Sequence, residues 1–207
     1  MVLGVIASGA WAWWRSEKDQ RADDRNTPAA ILDAPLLAVV PEYADVGAIG
    51  PNPAESNPES GAGEAYHFAV SSISFALEQI DGASVVITSS APGDGKSVTA
   101  LNIAFAAAKD GRKALLIDAD ERARGLTRLS GLGIGLGLTD LTNGRSVSDV
   151  IGNWHMSDAT SLPFVPAGSR LDDSAAAYFR STAFRNALPE LTQGNDMVII
   201  DTPPVMS

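Results

Sequence analysis

The stretch of residues 84–102, SVVITSSAPGDGKSVTALN, decides the fold of this chain. It begins with β-branched apolar residues typical of a strand at 84–88 and continues through a loop of glycine, proline and serine. A helix then opens at Gly95, Lys96 and Ser97. A glycine loop between a strand and a helix start directs backbone N–H groups, and the positive end of the helix, at one point. The stretch therefore predicts a phosphate-binding loop.

This loop departs once from the strict pattern G-x-x-x-x-G-K-[ST], because Ser90 stands where the first glycine belongs. Gly93 and Gly95 still supply the required backbone freedom. In such a loop Lys96 would reach the β- and γ-phosphates, and the Ser97 hydroxyl would hold Mg²⁺. The alternative is an ordinary strand-to-helix turn, and the strand and helix on either side favour phosphate binding over it.

Length, cysteine content and net charge exclude some classes of protein. The 207 residues are enough for one α/β domain with additional segments. The chain contains no cysteine, which excludes disulfides and thiolate metal sites. Its formal net charge of −10 argues against a protein that binds nucleic acid, because neutralising a phosphate backbone requires clustered Lys and Arg.

The N-terminal end indicates proximity to a membrane. Residues 1–14, MVLGVIASGAWAWW, are apolar but fall short of the roughly 20 residues that span a bilayer. They also lack the basic start of a signal peptide. Their tryptophans, next to Arg15 and Lys18, are typical of a membrane–water boundary. We expect residues 1–25 to form a membrane-proximal segment, either the end of a transmembrane helix or an interfacial anchor. An amphipathic cap on the soluble domain is the alternative.

Residues 26–63 are predicted to be a juxtamembrane segment and a flexible linker. Proline, glycine, serine and acidic residues dominate from 41 to 63, and no periodic apolar face is visible there. Helical spacing of apolar residues then predicts an amphipathic helix at about 64–79. It opens the third part, a P-loop domain at 64–207. His67 lies in this helix without a partner at metal spacing, so we interpret it as a packed or solvated residue.

Two further apolar strands run directly into carboxylates. Residues 113–117 are followed by Asp118 and Asp120, and residues 197–200 by Asp201. Open α/β sheets bind ligands at the carboxyl ends of their strands. Acids placed there can hold a metal ion or accept a proton from an attacking hydroxyl. The alternative is that Asp118 and Asp120 only solvate a strand end or cap the next helix, and the P-loop upstream favours a functional role.

The remaining patterns complete a mainly parallel α/β domain. Residues 162–165 predict another strand, and residues 174–191 predict a helix in two pieces with Ser181 as the cap between them. The alternating glycines at 131–137 are a weak match to a dinucleotide fingerprint because no strand precedes them. We interpret them as a flexible loop that leads to a helix near Asp140, and Trp154 as a packing or surface residue.

Three of these motifs together resemble a known family. SSAPGDGKS at 89–97, LLIDADER at 115–122 and VIIDTPP at 198–204 resemble the Walker A, Walker A′ and Walker B motifs of the bacterial tyrosine kinases. These are the cytoplasmic kinase domains of polysaccharide co-polymerases. EAYHFAVSSISFAL at 64–77 is similar to the family's helix before the first core strand, and TPAAILDAPLLAVVP at 27–41 to its juxtamembrane segment. The Trp-rich start looks like the end of its second membrane helix.

The resemblance implies a P-loop NTPase-like three-layer αβα fold with a mainly parallel sheet, incomplete at the C-terminus. It implies an ATP-dependent protein tyrosine autokinase that regulates capsular or exopolysaccharide chain length and export. ATP and Mg²⁺ would be the cofactors. The expected location is the cytoplasmic face of the cell membrane, anchored near the N-terminus. Membrane-associated polysaccharide export and polymerisation machinery, and further copies of the chain, would be the partners, with no nucleic acid.

Residue roles follow from the same resemblance. Lys96 would clamp the phosphates, and Asp120 would activate the substrate tyrosine hydroxyl. Ser97 and Asp201 would hold Mg²⁺ directly or through water, with Asp118 in the outer shell. The catalytic residues implied are Lys96, Asp118, Asp120 and Asp201, and the metal residues are Ser97, Asp118 and Asp201. The phosphate-binding residues implied are Pro92, Gly93, Asp94, Gly95, Lys96, Ser97, Val98 and Thr99.

Two other functions stay open. Partition and cell-division ATPases of the same superfamily carry a signature lysine at the position of Ala91, so this residue disfavours an ATPase of that type. A nucleotide-binding regulator without phosphotransfer is the second alternative, because the chain stops soon after the Walker B strand, and the family's tyrosine-rich tail is not in it. The family's E-x-x-R-x-x-R helix is also altered, since His67 and Val70 follow Glu64.

Overall fold

The computed structural model describes residues 33–43, 52–77, 84–132, 135–155, 161–169 and 178–206. The chain divides into two units, Met1–Leu37 and Ala38–Ser207. Of the first unit the structure describes only residues 33–37, in which Leu36 and Leu37 are exposed. The predicted membrane-proximal segment at 1–25 lies outside the described residues. None of the described helices has the length and apolar character that crossing a membrane requires.

A five-stranded sheet forms the centre of the second unit. Its strands are β1 (Ser84–Ile87), β2 (Ala114–Asp118), β3 (Gly152–His155), β4 (Ser161–Val165) and β5 (Met197–Asp201). Their order across the sheet is β1-β5-β2-β4-β3. All neighbours pair in parallel except β3, which runs antiparallel to β4 at one edge. The prediction of a mainly parallel sheet is confirmed.

The register of the sheet brings the predicted acids together. β2 lies next to β5, and Asp118 is directly opposite Asp201. On the other side of β5, Ile87 of β1 is also paired with Asp201. Strands β2 and β5 are apolar up to these aspartates because helices cover both faces of the sheet, as is typical of parallel sheets. The P-loop that follows β1 and the two aspartates therefore share one edge.

Helices cover both faces of the sheet. The helices are α1 (Pro53–Ser56), α2 (Gly61–Leu77), α3 (Lys96–Lys109), α4 (Gly125–Leu129), α5 (Val147–Val150), α6 (Thr182–Thr192) and a 3₁₀ helix (Leu138–Asn143). Alternate strand residues point to opposite faces. Leu116 and Ile199 accordingly belong to one core with α1, α2 and α3, whereas Leu115 and Val198 belong to a second core with the 3₁₀ helix, α5 and α6. The three-layer αβα prediction is confirmed.

Helix α3 packs closely on the sheet because its inner positions are small. Ala100, Ala104, Ala106 and Ala107 have no exposed surface. The helix begins at the end of the P-loop, where Gly95 adopts the left-handed conformation with φ of +85°. A residue with a side chain is strained in that conformation, so glycine is the natural residue to start this helix. The close packing fixes the position of the first turn, which carries Lys96 and Ser97.

Strand β3 was not predicted from the sequence. Its four residues, GNWH, show no clear alternation, and glycine and asparagine are poor strand formers. Trp154 holds the strand in place: its ring packs edge-on to Phe105 at 5.9 Å and to Phe164 at 5.3 Å between ring centroids. The interpretation of Trp154 as a packing residue is therefore confirmed, since only 5% of its surface is exposed.

The prediction of a flexible linker is wrong for residues 52–63. Ala54 of α1 is fully buried, and its N–H donates to the side-chain oxygen of Asn102 in α3 at 3.0 Å. The Lys109 ammonium donates to the Glu55 carbonyl at 3.3 Å, which ties α1 to the other end of α3. These partners are far away in sequence, so the local composition did not reveal the packing. Residues 44–51 of the predicted linker lie outside the described residues.

The other helix predictions hold with small shifts. Helix α2 begins at Gly61, three residues before the predicted start, and His67 contacts Asp110 at the end of α3 with 2.8 Å between Nδ1 and Oδ1. Ser181 caps α6, because its hydroxyl accepts from the Phe184 N–H at 3.1 Å. The first of the two predicted helical pieces at 174–191 falls largely on residues 170–177, which are not described.

Candidate active site

The P-loop connects β1 to α3 with an open glycine backbone. Gly93 and Gly95 have φ of +91° and +85°, and a Cβ added to either would meet no described atom within 4 Å. These glycines are therefore required by backbone conformation and not by packing. Open backbone at the start of a helix is the arrangement that binds phosphate groups, because unpaired N–H groups and the helix dipole favour an anion there.

Ser90, the one departure from the strict motif, takes part in the fold of the loop. Its hydroxyl donates to the Asp94 carboxylate at 2.6 Å, and the Ala91 N–H donates to the same oxygen at 2.8 Å. These hydrogen bonds, that of Ser90 first, lower the pKa of Asp94. Asp94 thus closes the tip of the loop. This role of Ser90 and Asp94 was not predicted from the sequence.

Lys96 lies among the acids at the sheet edge. Its ammonium is 2.8 Å from Oδ2 of Asp120, 3.9 Å from Oδ1 of Asp201 and 3.4 Å from the Ser97 hydroxyl. Only 10% of the Lys96 side chain is exposed, and the two carboxylates are buried. Coulomb attraction is strong in such surroundings, so the lysine offsets much of the charge of the acids around it.

The Asp118 carboxylate accepts three hydrogen bonds. Its Oδ2 accepts from both the N–H and the hydroxyl of Thr127, each at 2.8 Å, and its Oδ1 accepts from the Asp120 N–H at 3.1 Å. Burial raises the pKa of Asp118, and these hydrogen bonds oppose the rise. Asp118 therefore orients Asp120 and joins the end of β2 to α4. Most of its capacity as an acceptor is already in use.

Asp201 differs from Asp118 although the two are opposite in register. It has no exposed surface, and neither carboxylate oxygen has a hydrogen-bond partner among the described residues. Burial raises the pKa of Asp201 to about 6, while the nearby Ser97 hydroxyl and the Lys96 ammonium oppose the shift. A buried carboxylate without donors is costly, and it is the kind of group that a cation would stabilise.

The residues fit a magnesium ion. Within the described ranges, no three or more His, Asp or Glu side chains form a preformed metal cluster. Mg²⁺ seldom uses such a cluster and is usually held by one or two carboxylates, water and substrate phosphates. The Ser97 hydroxyl and the unpartnered oxygens of Asp201 suit direct or water-mediated contact. The occupied oxygens of Asp118 suit an outer position.

The structure thus brings together the cation, the hydroxyl and the three acids that the sequence singled out, namely Lys96, Ser97, Asp118, Asp120 and Asp201. The predicted phosphate-binding residues 92–99 form the P-loop and the first turn of α3, where the Thr99 N–H donates to the Gly95 carbonyl at 2.8 Å. Two residues were missed. Thr127 holds Asp118, and Gly125 leaves room for Ser97, because a Cβ at 125 would lie 3.0 Å from the Ser97 hydroxyl. Neither contact has a signal in the local sequence.

Comparison with known proteins extends this picture. The family model described as an AAA domain matches residues 83–207, which include the P-loop and all three aspartates. The chain belongs to this family. Its relatives include the tyrosine-protein kinase YwqD of Bacillus subtilis (strain 168), which is 34% identical over 158 residues. The alignment covers 74% of this chain and 64% of YwqD, so the chain spans somewhat less than two thirds of that relative.

Solved structures give the same result for the fold. The crystal structure of the chimerical protein CapA2B2 has a TM-score of 0.75 and 30% identity, over 88% of this chain and 76% of that one. The BceF tyrosine kinase domain has a TM-score of 0.74 and 26% identity, over 89% and 77%. The predicted resemblance to bacterial tyrosine kinases is therefore confirmed, and the chain contains part of such a domain.

Proposed function

We propose that the chain binds Mg·ATP at the P-loop and transfers the γ-phosphoryl group to a tyrosine hydroxyl. The observation that carries the proposal is the meeting of Lys96, Asp120 and the unpartnered Asp201 beside an open glycine loop. Phosphoryl transfer depends mainly on positioning and on neutralising charge, and this site supplies both. The names of the relatives, tyrosine-protein kinases, support the choice of tyrosine as the acceptor.

Each residue has a definite part in this mechanism. The N–H groups of the P-loop and the Lys96 ammonium bind the phosphates. Ser97 and Asp201 would hold Mg²⁺, and the bound ion would supply neutralisation of phosphate charge. Asp120 accepts the proton of the tyrosine hydroxyl as the new bond from oxygen to phosphorus forms and the bond to the ADP oxygen breaks. Asp118 keeps Asp120 in place through the Asp120 N–H.

We also propose a setting for this reaction at the cytoplasmic face of the cell membrane. The apolar, Trp-rich residues 1–14 support an anchor near the N-terminus. The family resemblance of the three Walker motifs supports a role in regulating capsular or exopolysaccharide chain length and export. The membrane-associated polymerisation and export machinery and further copies of the chain are then the expected partners.

A phosphotransfer assay tests the proposed function. The chain is incubated with radiolabelled ATP, Mg²⁺ and a tyrosine peptide, and phosphotyrosine is measured together with ATP binding. We expect Asp120→Asn to lower transfer at least about 100-fold while ATP affinity changes little, because this group acts on the proton and not on the phosphates. Asp196→Asn is the matched control, since this aspartate is exposed and its carboxylate accepts from the Lys113 N–H at the other edge of the sheet.

Two outcomes would refute the proposal in different ways. ATP binding without phosphotyrosine in the unaltered chain would identify a nucleotide-binding regulator. Phosphate release that does not depend on a tyrosine acceptor would identify an ATPase. Equal loss of binding and transfer in Asp120→Asn would remove its role as the base.

A further inference from the structure

The segment after Asp120 forms one wall of the candidate site. Asp120 accepts from the Ala123 N–H at 2.9 Å through Oδ1, while its other oxygen holds Lys96. The Arg124 N–H donates to the Asp120 carbonyl at 2.7 Å. Gly125 then lies against Ser97. Residues 121–128 comprise the turn after Asp120 and the first four residues of α4, and we call them the arginine loop. They are thus folded around the group proposed as the base.

An acceptor that reaches Asp120 comes close to this loop, because the loop is folded around that carboxylate. A tyrosine hydroxyl that gives its proton to Asp120 has to approach it to about 3 Å. The tyrosine side chain keeps the peptide backbone at a distance from Asp120, and the long arginine side chains of the loop can extend across this distance to acidic residues next to the tyrosine. The chemistry of the arginine loop therefore decides which flanking residues are tolerated.

The arginine loop is basic in an acidic protein. It carries Arg122, Arg124 and Arg128, although the whole chain has only 15 Lys and Arg and a net charge of −10. Arg122 is 67% exposed, and Arg128 is exposed as well. The one acid of the loop, Glu121, is 3.6 Å from the Arg122 guanidinium, which leaves an excess of positive charge. The negatively charged protein surface repels an acidic peptide segment, whereas the positive charge of the arginine loop attracts it.

Arg124 adds an observation of its own. Its backbone is in the left-handed region with φ of +50°, and its Nε donates to the Glu121 carbonyl at 3.0 Å. Its Nη2 is buried, yet it has no hydrogen-bond partner among the described residues. A guanidinium nitrogen without an acceptor is unfavourable in such surroundings, and a carboxylate is the acceptor that suits it best.

We propose that the arginine loop recognises acidic residues next to the acceptor tyrosine, so that the substrate class is an acidic tyrosine segment. This inference rests on the proposed phosphotransfer. The chain itself contains one such segment, Glu42-Tyr43-Ala44-Asp45. Its other two tyrosines, Tyr66 and Tyr178, are 3% and 4% exposed and lie in the cores. Tyr43 is half-buried, with its hydroxyl 3.3 Å from that of Tyr66.

Two synthetic peptides form the probe. One carries residues 38–48, AVVPEYADVGA, and the other is the same peptide with Glu42→Gln and Asp45→Asn. We expect the full chain to phosphorylate the acidic peptide with a kcat/KM about tenfold higher, mainly through KM, and this ratio should shrink as salt is added. The double variant Arg122→Gln, Arg128→Gln should bring the ratio close to one without changing the KM for ATP.

A matched control has the same loss of charge elsewhere. Arg112 and Arg145 are exposed and lie outside the arginine loop, so Arg112→Gln, Arg145→Gln should keep the tenfold ratio. Arg124→Gln in the otherwise unaltered chain should also lower the ratio below tenfold, with its fold checked by circular dichroism. Equal kcat/KM for both peptides would overturn the inference and leave the proposed kinase intact. So would a weaker KM for ATP in the Arg122, Arg128 variant, since the loop would then serve the nucleotide.

Failure of the proposed function can be told apart from failure of the inference. If neither peptide is phosphorylated, binding of the fluorescently labelled peptides is measured by anisotropy with Mg·ADP present. Preference for the acidic peptide, lost in the Arg122, Arg128 variant, would support recognition by the arginine loop in a protein that transfers nothing. No preference in this binding assay would overturn the inference itself.

Discussion

Two glycine-containing connections follow parallel strands at the same edge of the sheet, and they differ in every respect that matters for ligand binding. The P-loop after β1 has open space around Gly93 and Gly95. The turn after β4, at residues 166–168, is closed because Gly137, just before the 3₁₀ helix, packs directly on it. A Cβ at Gly137 would overlap the Gly168 N and the Pro166 carbonyl oxygen. In the first, glycine exposes backbone. In the second, it lets two backbone segments touch.

Hydrogen bonding separates the two regions further. At the closed turn, Asp140 accepts from the Gly137 N–H at 2.9 Å and from the Ser169 N–H at 3.2 Å, and these contacts lower its pKa against the effect of burial. At the open loop, Asp201 has no donor among the described residues, and its pKa is raised. A satisfied acid marks a structural turn, and an unsatisfied one marks a place for a ligand.

The largest expected effect concerns the closed turn. Gly137→Ala should lower the free energy of unfolding by about 3 kcal/mol, because the new methyl group forces two backbone segments apart. Urea unfolding measures the change. Gly135→Ala is the control, with no described atom within 4 Å of its Cβ and no positive φ, and it should change stability by less than about 0.5 kcal/mol. Equal effects of the two substitutions would remove the contrast between closed and open glycines.

A comparable effect on binding is expected at the open loop. Lys96→Met should weaken ATP binding about 100-fold, or about 2.7 kcal/mol, because it removes the charged donor nearest the phosphates. Calorimetric titration measures the affinity. Lys113→Met, at the opposite end of β2, should leave it unchanged. Unaltered ATP affinity in Lys96→Met would show that the nucleotide site lies elsewhere.

A smaller effect of opposite sign is expected for Asp201. Asp201→Asn should raise the free energy of unfolding at pH 8 by about 1–2 kcal/mol, since it removes a buried charge without donors. The same change should weaken binding of Mg·ATP. Thermal unfolding of the protein without nucleotide measures the first effect, with Asp196→Asn as control. A less stable Asp201→Asn variant would mean that the carboxylate is well compensated in the folded protein.

The smallest expected effect is the pH dependence that the Asp201 carboxyl gives to stability and to Mg²⁺ binding. The folded protein keeps a proton on Asp201 up to about pH 6, whereas an unfolded aspartate releases it near 3.8. Asp201 therefore contributes stability below about pH 4, and this contribution is lost as the pH rises to about 6. Mg²⁺ requires the ionised carboxylate. The ratio of the ATP affinity with Mg²⁺ to that without Mg²⁺ should therefore be about tenfold smaller at pH 5 than at pH 7. A flat profile in the unaltered protein would contradict this assignment.

Much of the contrast between the two connections could be predicted from the sequence. The P-loop, the strands that follow it and the three aspartates depend on local patterns, namely apolar runs, glycine spacing and acids at strand ends. Parallel strands place their carboxyl ends together, so the meeting of Asp118 with Asp201 follows from topology alone. The alternating glycines at 131–137 were correctly separated from a dinucleotide fingerprint, and Gly137 proves to be a packing position.

What the sequence did not reveal depends on partners distant along the chain. Helix α1 is ordered by Asn102, which is 48 residues away from Ala54. Strand β3 is held by the packing of Trp154 between two phenylalanines and not by any alternation of its own. Likewise, the different states of Asp118 and Asp201 arise from Thr127, which donates to one and not to the other. Such contacts leave no periodic signal.

The central claim is that the open loop and the unpartnered Asp201 form a Mg·ATP site. Titrating ATP into the chain by calorimetry, once with Mg²⁺ and once with EDTA, tests it most directly. We expect one ATP per chain in the presence of Mg²⁺ and at least about tenfold weaker binding in EDTA, because Asp201 would hold the ion that offsets the phosphate charge. Absence of ATP binding, or binding of equal strength with and without Mg²⁺, would contradict the account.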